Sequence, residues 1–338
     1  MYSDPEGKPK KGEPPVKAAI TDLLVGPGDD LGEAVLEGLT ADPKILYPRF
    51  FYDERGSYLF EKICEQPEYY PTRTEAEILQ THGSEIIDAL PGEVDLIELG
   101  SGNSRKTRIL LDCLSARQKE IEYRPIDISK EILRSTAREI HADYPRVQVH
   151  GFVADFLAGL EFLKLKTKRS KLILFLGSNL GNFEYTEAAD FLRSMTRAAG
   201  PGDRILIGYD LDKDPDVLEK AYNDAAGFTA EFNLNLLDRI NRELDGDFDL
   251  QAFRHHAFFD READLVEINL VSRKRQNVNL RALNRTFAFR KEERIRTEVS
   301  CKYTPARLEW IRERAGLREI RRFHDERRWF TLILYAVD

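Results

Sequence analysis

The stretch Val94-Asp95-Leu96-Ile97-Glu98-Leu99-Gly100-Ser101-Gly102-Asn103-Ser104-Arg105-Lys106 constrains the fold more than any other part of the chain. An apolar run contains an acidic residue near its end, two glycines follow, and Ile109, Leu110, Leu111, Cys113 and Leu114 then give an amphipathic helical pattern. The pattern predicts a buried strand, a tight turn and a helix, the first βα unit of a nucleotide-type parallel sheet. Glycine has no Cβ, so the backbone can turn sharply there and a ligand can approach it closely. The ligand of such a unit sits beyond the carboxyl end of the strand, near the helix N-terminus.

The residues after the glycines narrow the choice of ligand. A dinucleotide fingerprint needs a third small residue for close helix–strand packing, and Arg105 stands there instead. A phosphate-binding P-loop needs a lysine directly after its last glycine, and that spacing is missing. An acidic strand end followed by G-x-G resembles the turn of S-adenosylmethionine (SAM)-dependent methyltransferases. A tight turn with no ligand is the competing reading.

Composition sets outer bounds. A chain of 338 residues suggests about two domains, and 42% hydrophobic residues suffice for a full core. The formal net charge of −8 argues against a nucleic-acid partner, which needs a basic surface. Arg307, Arg312, Arg314, Arg318, Arg321, Arg322, Arg327 and Arg328 are interleaved with glutamates and read as a solvated surface. The three cysteines, Cys64, Cys113 and Cys301, have no metal-ligand spacing and read as thiols in a reducing compartment. His255 and His256 are adjacent and would face opposite sides of a strand, so no metal site is expected. With no signal-peptide pattern and no apolar run near ~18 residues, the chain is expected to be cytoplasmic and without a membrane partner.

Residues 1–16 are rich in Pro, Gly and Lys and are expected to be disordered. An ordered, mainly helical region follows, with Ile20, Leu23, Leu24, Leu31, Ala34, Val35 and Leu39. Residues 49–60 then concentrate aromatics beside charges and a glycine, suited to core packing or to a small-molecule pocket. Thr72 and Glu75 have the spacing of a capping box at the head of the next helix. Arg73 beside them has two readings, a structural tie or a contact to a cofactor carboxylate.

A second strand ends at Asp127, whose carboxylate could accept from both ribose hydroxyls of an adenosine or cap the next helix. A third ends at Asp155-Phe156, a polar partner and apolar wall for adenine, or a turn alone. A fourth runs into Gly177-Ser178-Asn179-Leu180-Gly181-Asn182, where the methyl acceptor is expected, and a fifth ends at Asp210. The alternation breaks over 213–302, which reads as an inserted α+β subdomain. In its last strand Glu298, Ser300 and Lys302 share one face, either solvated or the wall of a polar pocket. A terminal helix and a two-stranded hairpin complete a seven-stranded α/β sheet.

Taken together, these residues resemble the histidine-specific methyltransferase family, the enzymes that make hercynine in ergothioneine biosynthesis. The motifs are Phe51-Tyr52-Asp53-Glu54-Arg55-Gly56-Ser57, Pro67-Glu68-Tyr69-Tyr70-Pro71-Thr72-Arg73, Glu98 through Gly102, Gly177 through Asn182, Tyr222-Asn223 and Thr297-Glu298-Val299-Ser300. The match runs from about residue 20 to the end.

The resemblance implies a class I, Rossmann-like methyltransferase fold with an inserted substrate-binding part. It implies three methyl transfers from SAM to the α-amino nitrogen of L-histidine, in a monomer. SAM-binding positions of the family fall on Gly100, Lys106, Asp127, Asp155 and Phe156. The substrate carboxylate positions fall on Asn182 and Tyr222, and the imidazole positions on Tyr69, Glu298 and Ser300. Tyr52, Phe60 and Gly177 match the lining of the amine pocket, and catalytic roles fall to Tyr52 and Asn182. Ile268 stands where the family often carries methionine. On this reading 75–212 with 303–338 bind SAM, and 17–74 with 213–302 bind the substrate.

Overall fold

The computed structural model describes residues 18–22, 31–164, 167 and 169–337. The tail expected at 1–16 lies outside the described residues. The chain opens with β1 (Ala18–Asp22), α1 (Leu31–Thr40), β2 (Lys44–Ile45), α2 (Glu54–Cys64) and α3 (Tyr70–Asp88). An alternating stretch follows: β3 (Val94–Leu99), α4 (Arg105–Arg117), β4 (Ile121–Asp127), α5 (Lys130–Asp143), β5 (Val147–Val153), α6 (Phe156–Leu163), β6 (Ser170–Phe175), α7 (Tyr185–Ala198) and β7 (Arg204–Asp210). Next come α8 (Pro215–Ala221), α9 (Phe228–Leu244), β8 (Phe253–Asp260), β9 (Leu265–Ser272), β10 (Gln276–Leu280), β11 (Arg285–Phe289) and β12 (Arg294–Cys301). The chain closes with α10 (Pro305–Ala315), β13 (Arg318–His324) and β14 (Phe330–Ala336).

The large sheet has the order β1-β5-β4-β3-β6-β7-β14-β13. Strands β1 and β3 to β7 are mutually parallel, and β14 runs antiparallel to both β7 and β13. Every residue of β3 is buried, as a central parallel strand covered on both faces requires. On one face Leu99, Ile126, Phe175 and Ile207 pack with Leu192 of α7 and Ile311 of α10. On the other, Leu96, Tyr123, Leu172 and Leu206 pack with Ile78 of α3, Leu111 of α4 and Ile140 of α5.

The seven expected strands are present, and β1 adds an eighth at the edge. Residues 18–22, expected to open a helical segment of the substrate-binding part, instead pair in parallel with β5, from Ala18↔Val149 to Asp22↔Val153. A strand of five residues is too short to carry a periodic signal of its own. It forms because the edge of β5 offers unpaired backbone groups.

The chain leaves β3 toward β4 and β5, then returns to the other side of β3 as β6. The loops after β3 and β6 therefore meet at the carboxyl edge, the switch point where open α/β sheets bind ligands. A second sheet, β2-β12-β9-β8, packs with α9: Phe232, Leu236 and Ile240 join Phe51, Leu59, Leu270 and Ile295 in one core. Strand β12 links the two sheets, because the Tyr303 N–H just beyond it donates to the Asp210 carbonyl at the end of β7 (2.9 Å).

Candidate active site

The turn after β3 is built from left-handed backbone: Gly100 at φ +73°, Gly102 at +49° and Ser104 at +52°. A Cβ on Gly100 would lie 2.6 Å from Asn179 Nδ2 and 3.0 Å from the Phe156 ring, so only glycine fits there. Gly102 faces open space. Its N–H donates to Asp127 Oδ2 (2.7 Å), and the Ser129 N–H donates to Oδ1 (2.9 Å). Asp127 thus ties the end of β4 to the glycine turn, and burial lifts its carboxyl above the usual range against those hydrogen bonds. Asp155 caps α6, accepting from Ala158 N–H (2.7 Å). Phe156 packs edge-on to Phe175 at 5.1 Å, beside the Gly100 turn.

Lys106, the second residue of α4, pairs with Glu75. Glu75 is fully buried and also accepts from Gly177 N–H (2.8 Å). This corrects the expected capping box. Helix α3 starts at Tyr70, so Glu75 lies inside it, and the Thr72 hydroxyl donates to Cys64 Sγ instead (3.4 Å). Glu75 was missed as a site neighbour, although it is the lone carboxylate on a stripe with Ile78, Leu79 and Ile86. Arg73 is resolved as a tie: it donates to the carbonyls of Gln66, Pro67 and Tyr69 and so fixes the loop that carries Tyr69.

Tyr52, Phe60, Tyr69 and Tyr222 form a run of edge-to-face rings, with centroids 5.8, 6.2 and 6.2 Å apart in succession. The local sequence explains the placement of the first two. Asp53 caps α2 by accepting from Gly56 N–H (2.7 Å) and also accepts from Asn235 Nδ2 of α9 (2.8 Å). A Cβ on Gly56 would lie 1.7 Å from the Phe51 carbonyl oxygen. Glu61, next to Phe60, accepts both bonds from Asn103 Nδ2 in the glycine turn (2.9 and 2.8 Å), joining the aromatic run to that turn. Burial, and then the charges of Glu298 and Asp127, push the Tyr52 hydroxyl well above its ordinary range, so it keeps its proton at neutral pH.

The polar side of the pocket comes from β12 and the end of α8. The register shifts between Arg296 and Glu298, a bulge that re-aims the strand. Beyond it, Ser300 Oγ and Tyr222 Oη are 2.7 Å apart, and Lys302 Nζ donates to both (2.7 and 2.8 Å) and to Asp210 Oδ2 (2.8 Å). Lys302 is the second residue missed as a site member, though the strand pattern had placed it on the face of Glu298 and Ser300. His255 Nε2 lies 2.8 Å from the Tyr222 carbonyl, and Nδ1 lies 3.0 Å from Asn233 Nδ2. The ring therefore fits as a neutral Nε2–H tautomer that fixes Tyr222.

The Glu298 side chain makes no hydrogen bond or ion pair among the described residues. Burial raises its carboxyl to about 7 against the pull of Lys302. Ile268 lies opposite it in register and is buried. Asn182 ends the 3-10 turn Asn179–Asn182, which packs on β12: a Cβ on Gly181 would lie 3.2 Å from the Cys301 carbonyl oxygen. The structure thus gathers Gly100, Lys106, Asp127, Phe156 and Gly177 at the switch point. It gathers Tyr52, Phe60, Tyr69, Tyr222, Glu298 and Ser300 beside it.

The residues fit SAM. Gly100 and Gly177 sit at positive φ in facing loops, the Gly102 turn opens on free space, and the buried Ser101 and Ser178 hydroxyls have no partner among the described residues. Fold and site together define a SAM-dependent methyltransferase.

The profile of the family described as histidine-specific methyltransferase, SAM-dependent, matches residues 31–337, and the chain belongs to that family. It is 44% identical over 285 residues to the histidine N-alpha-methyltransferase of Mycolicibacterium smegmatis, covering 84% of this chain and 88% of that one. The histidine N-alpha-methyltransferase of Mycobacterium tuberculosis is 41% identical over 314 residues, covering 91% and 97%. A 4-dimethylallyltryptophan N-methyltransferase of Claviceps purpurea is 30% identical over 297 residues, covering 81% and 86%.

Proposed function

We propose that the chain transfers methyl groups from SAM to the α-amino nitrogen of L-histidine. Three successive transfers would give hercynine, at the start of ergothioneine biosynthesis. The observation that carries this reading is Glu298, a half-buried carboxyl with no side-chain partner among the described residues, two positions before Ser300 of the Tyr222–Ser300 hydroxyl pair and beside an aromatic run. Imidazole offers one N–H donor and one nitrogen acceptor. Glu298 suits the donor, and a hydroxyl of the pair suits the acceptor. An indole has only the donor, so it would leave that hydroxyl unpaired, which such sites reject strongly.

In this reading the glycine turns, Lys106, Asp127, Asp155 and Phe156 hold SAM, which supplies an electrophilic methyl group. Tyr222 and Asn182 hold the substrate carboxylate, and Tyr69, Glu298 and Ser300 hold the ring. Phe60 and Gly177 line the amine pocket. Tyr52, protonated at Oη, accepts from an amine N–H and so aims the nitrogen lone pair. Holding the amine in line replaces a chance encounter with a fixed geometry, which is the chief contribution such a site makes. The rings of Tyr52, Phe60 and Tyr69 favour the cation that builds up through cation–π attraction.

The large sheet would bind SAM and the β12 sheet with α2 the substrate, in a cytoplasmic monomer. Free Cys64, Cys113 and Cys301 and the arginine-bearing edge strand β13 agree with this. No described helix is long and apolar enough to cross a membrane. The test is a time course of purified protein with SAM and L-histidine, read by mass spectrometry. Mono-, di- and trimethylated histidine should appear in turn; no methylated histidine would refute the reading.

A further inference from the structure

We propose that Lys302 is the positioning residue that sets the polarity of the Tyr222–Ser300 pair and thereby makes the site require a substrate with an α-carboxylate. The inference rests on the proposed histidine reading and deepens it.

An ammonium has three hydrogens to donate. Those of Lys302 go to Asp210 Oδ2, Tyr222 Oη and Ser300 Oγ. Each hydroxyl oxygen thus already accepts one hydrogen. The pair owns two hydrogens, and at 2.7 Å one of them lies between the oxygens. The other points away from Lys302, and when substrate binds the shared hydrogen can turn outward as well, so that Tyr222 donates to the carboxylate and Ser300 to the ring nitrogen. With a lone pair on each oxygen tied up by Lys302, the pair faces the substrate as a donor. It addresses groups that accept.

Charge points the same way. Lys302 and Asp210 are both fully buried. Asp210 also pairs with Lys213 at 2.5 Å and accepts from the Tyr70 hydroxyl at 2.8 Å. Two ammonium groups therefore share one carboxylate, and Asp212 beside them is exposed to water. The cluster has one cation in excess, and its way out to the pocket is through Tyr222 Oη. Glu298, the other carboxyl nearby, touches neither lysine. An anion on the outer side of Tyr222 completes the balance, and in an amino acid that anion is the α-carboxylate.

The experiment compares the full-length wild type with Lys302→Met, using L-histidine and histamine, which keeps the amine and the ring but lacks the carboxylate. Binding of S-adenosylhomocysteine is measured alongside by calorimetry. The wild type should prefer histidine by at least about a hundredfold in kcat/KM. Lys302→Met should raise the histidine KM at least about tenfold and cut the preference below about tenfold. Its affinity for S-adenosylhomocysteine should stay within about twofold, since Lys302 touches none of the glycine-turn residues.

A preserved preference, or equal losses for histidine and S-adenosylhomocysteine, would overturn the proposal. If the Met variant does not fold, Lys302→Gln decides: its amide can still donate to both hydroxyls, so the carboxylate preference should stay above about tenfold, and its loss would overturn the proposal. Wild type that methylates histamine as well as histidine defeats this inference alone. Wild type that methylates neither defeats the histidine reading as well.

Discussion

Ionising Glu298 costs the folded protein stability. Its carboxyl is raised to about 7, from an ordinary value of 4.5. Between those two pH values the folded state binds the extra proton, so this group's contribution falls as pH rises through the window and is constant outside it. The full loss is on the order of 3 kcal/mol. Glu98, buried beneath the glycine turn and bonded to Tyr123 and Thr107, is also raised to about 7 and adds to the same window. Glu298→Gln should therefore flatten part of the decline and be more stable than wild type at pH 8, but not at pH 4. Urea unfolding at both pH values checks this; parallel curves would contradict it.

The same variant should weaken histidine binding at least tenfold, about 1.4 kcal/mol, while SAM binding holds. Asp127→Ala should do the reverse and cost at least about tenfold in SAM affinity. Unchanged SAM affinity would reduce Asp127 to its visible work of holding Gly102 and Ser129. The pairing of Glu298 with Ser300 was legible because a strand puts alternate residues on one face. Lys302 was legible as a neighbour, but its role was not, because Asp210 and Tyr222 meet it only through long-range folding.

At the scale of elements, α2 shows how a motif can be visible and its work hidden. The aromatics and the glycine of residues 51–57 stood out in sequence. That Asp53 would cap α2 while bonding Asn235 of α9, and that Gly56 would lie against the Phe51 carbonyl, required the tertiary structure. Gly56→Ala should destabilise the protein by about 3 kcal/mol, because a backbone oxygen cannot move aside as a flexible side chain can. Chemical denaturation measures this, and a loss below about 0.5 kcal/mol would show that the contact relaxes easily. Thr72 and Glu75 teach the opposite lesson. Their spacing satisfied a local rule, but a buried partner for Lys106 and Gly177 took the glutamate inward, and Tyr70 opened the helix two residues before Thr72. The short β1 had no local rule to follow.

At the scale of the whole molecule, the alternation of strands and helices from β3 to β7 was readable, since apolar-rich strands ending at an acid or a glycine alternate with helical patterns. It fixed the switch point and hence where SAM should bind. On the substrate side the polar face of β12 was readable by alternation, but its assembly with the other walls only by resemblance, because those come from α2, the start of α3 and the end of α8. If the exposed arginines of β13 keep that edge from pairing, light scattering should return the mass of one chain, 39.0 kDa. Twice that mass would contradict a monomer.

The central claim is that this pocket reads an imidazole. Its most direct test is mass spectrometry of the protein incubated with SAM and an equal mixture of L-histidine, L-tryptophan and L-tyrosine. The account predicts a gain of three methyl groups on histidine alone. Methylation of tryptophan in its place would keep the fold and the methyl donor but contradict the roles assigned to Glu298, Ser300 and Tyr222.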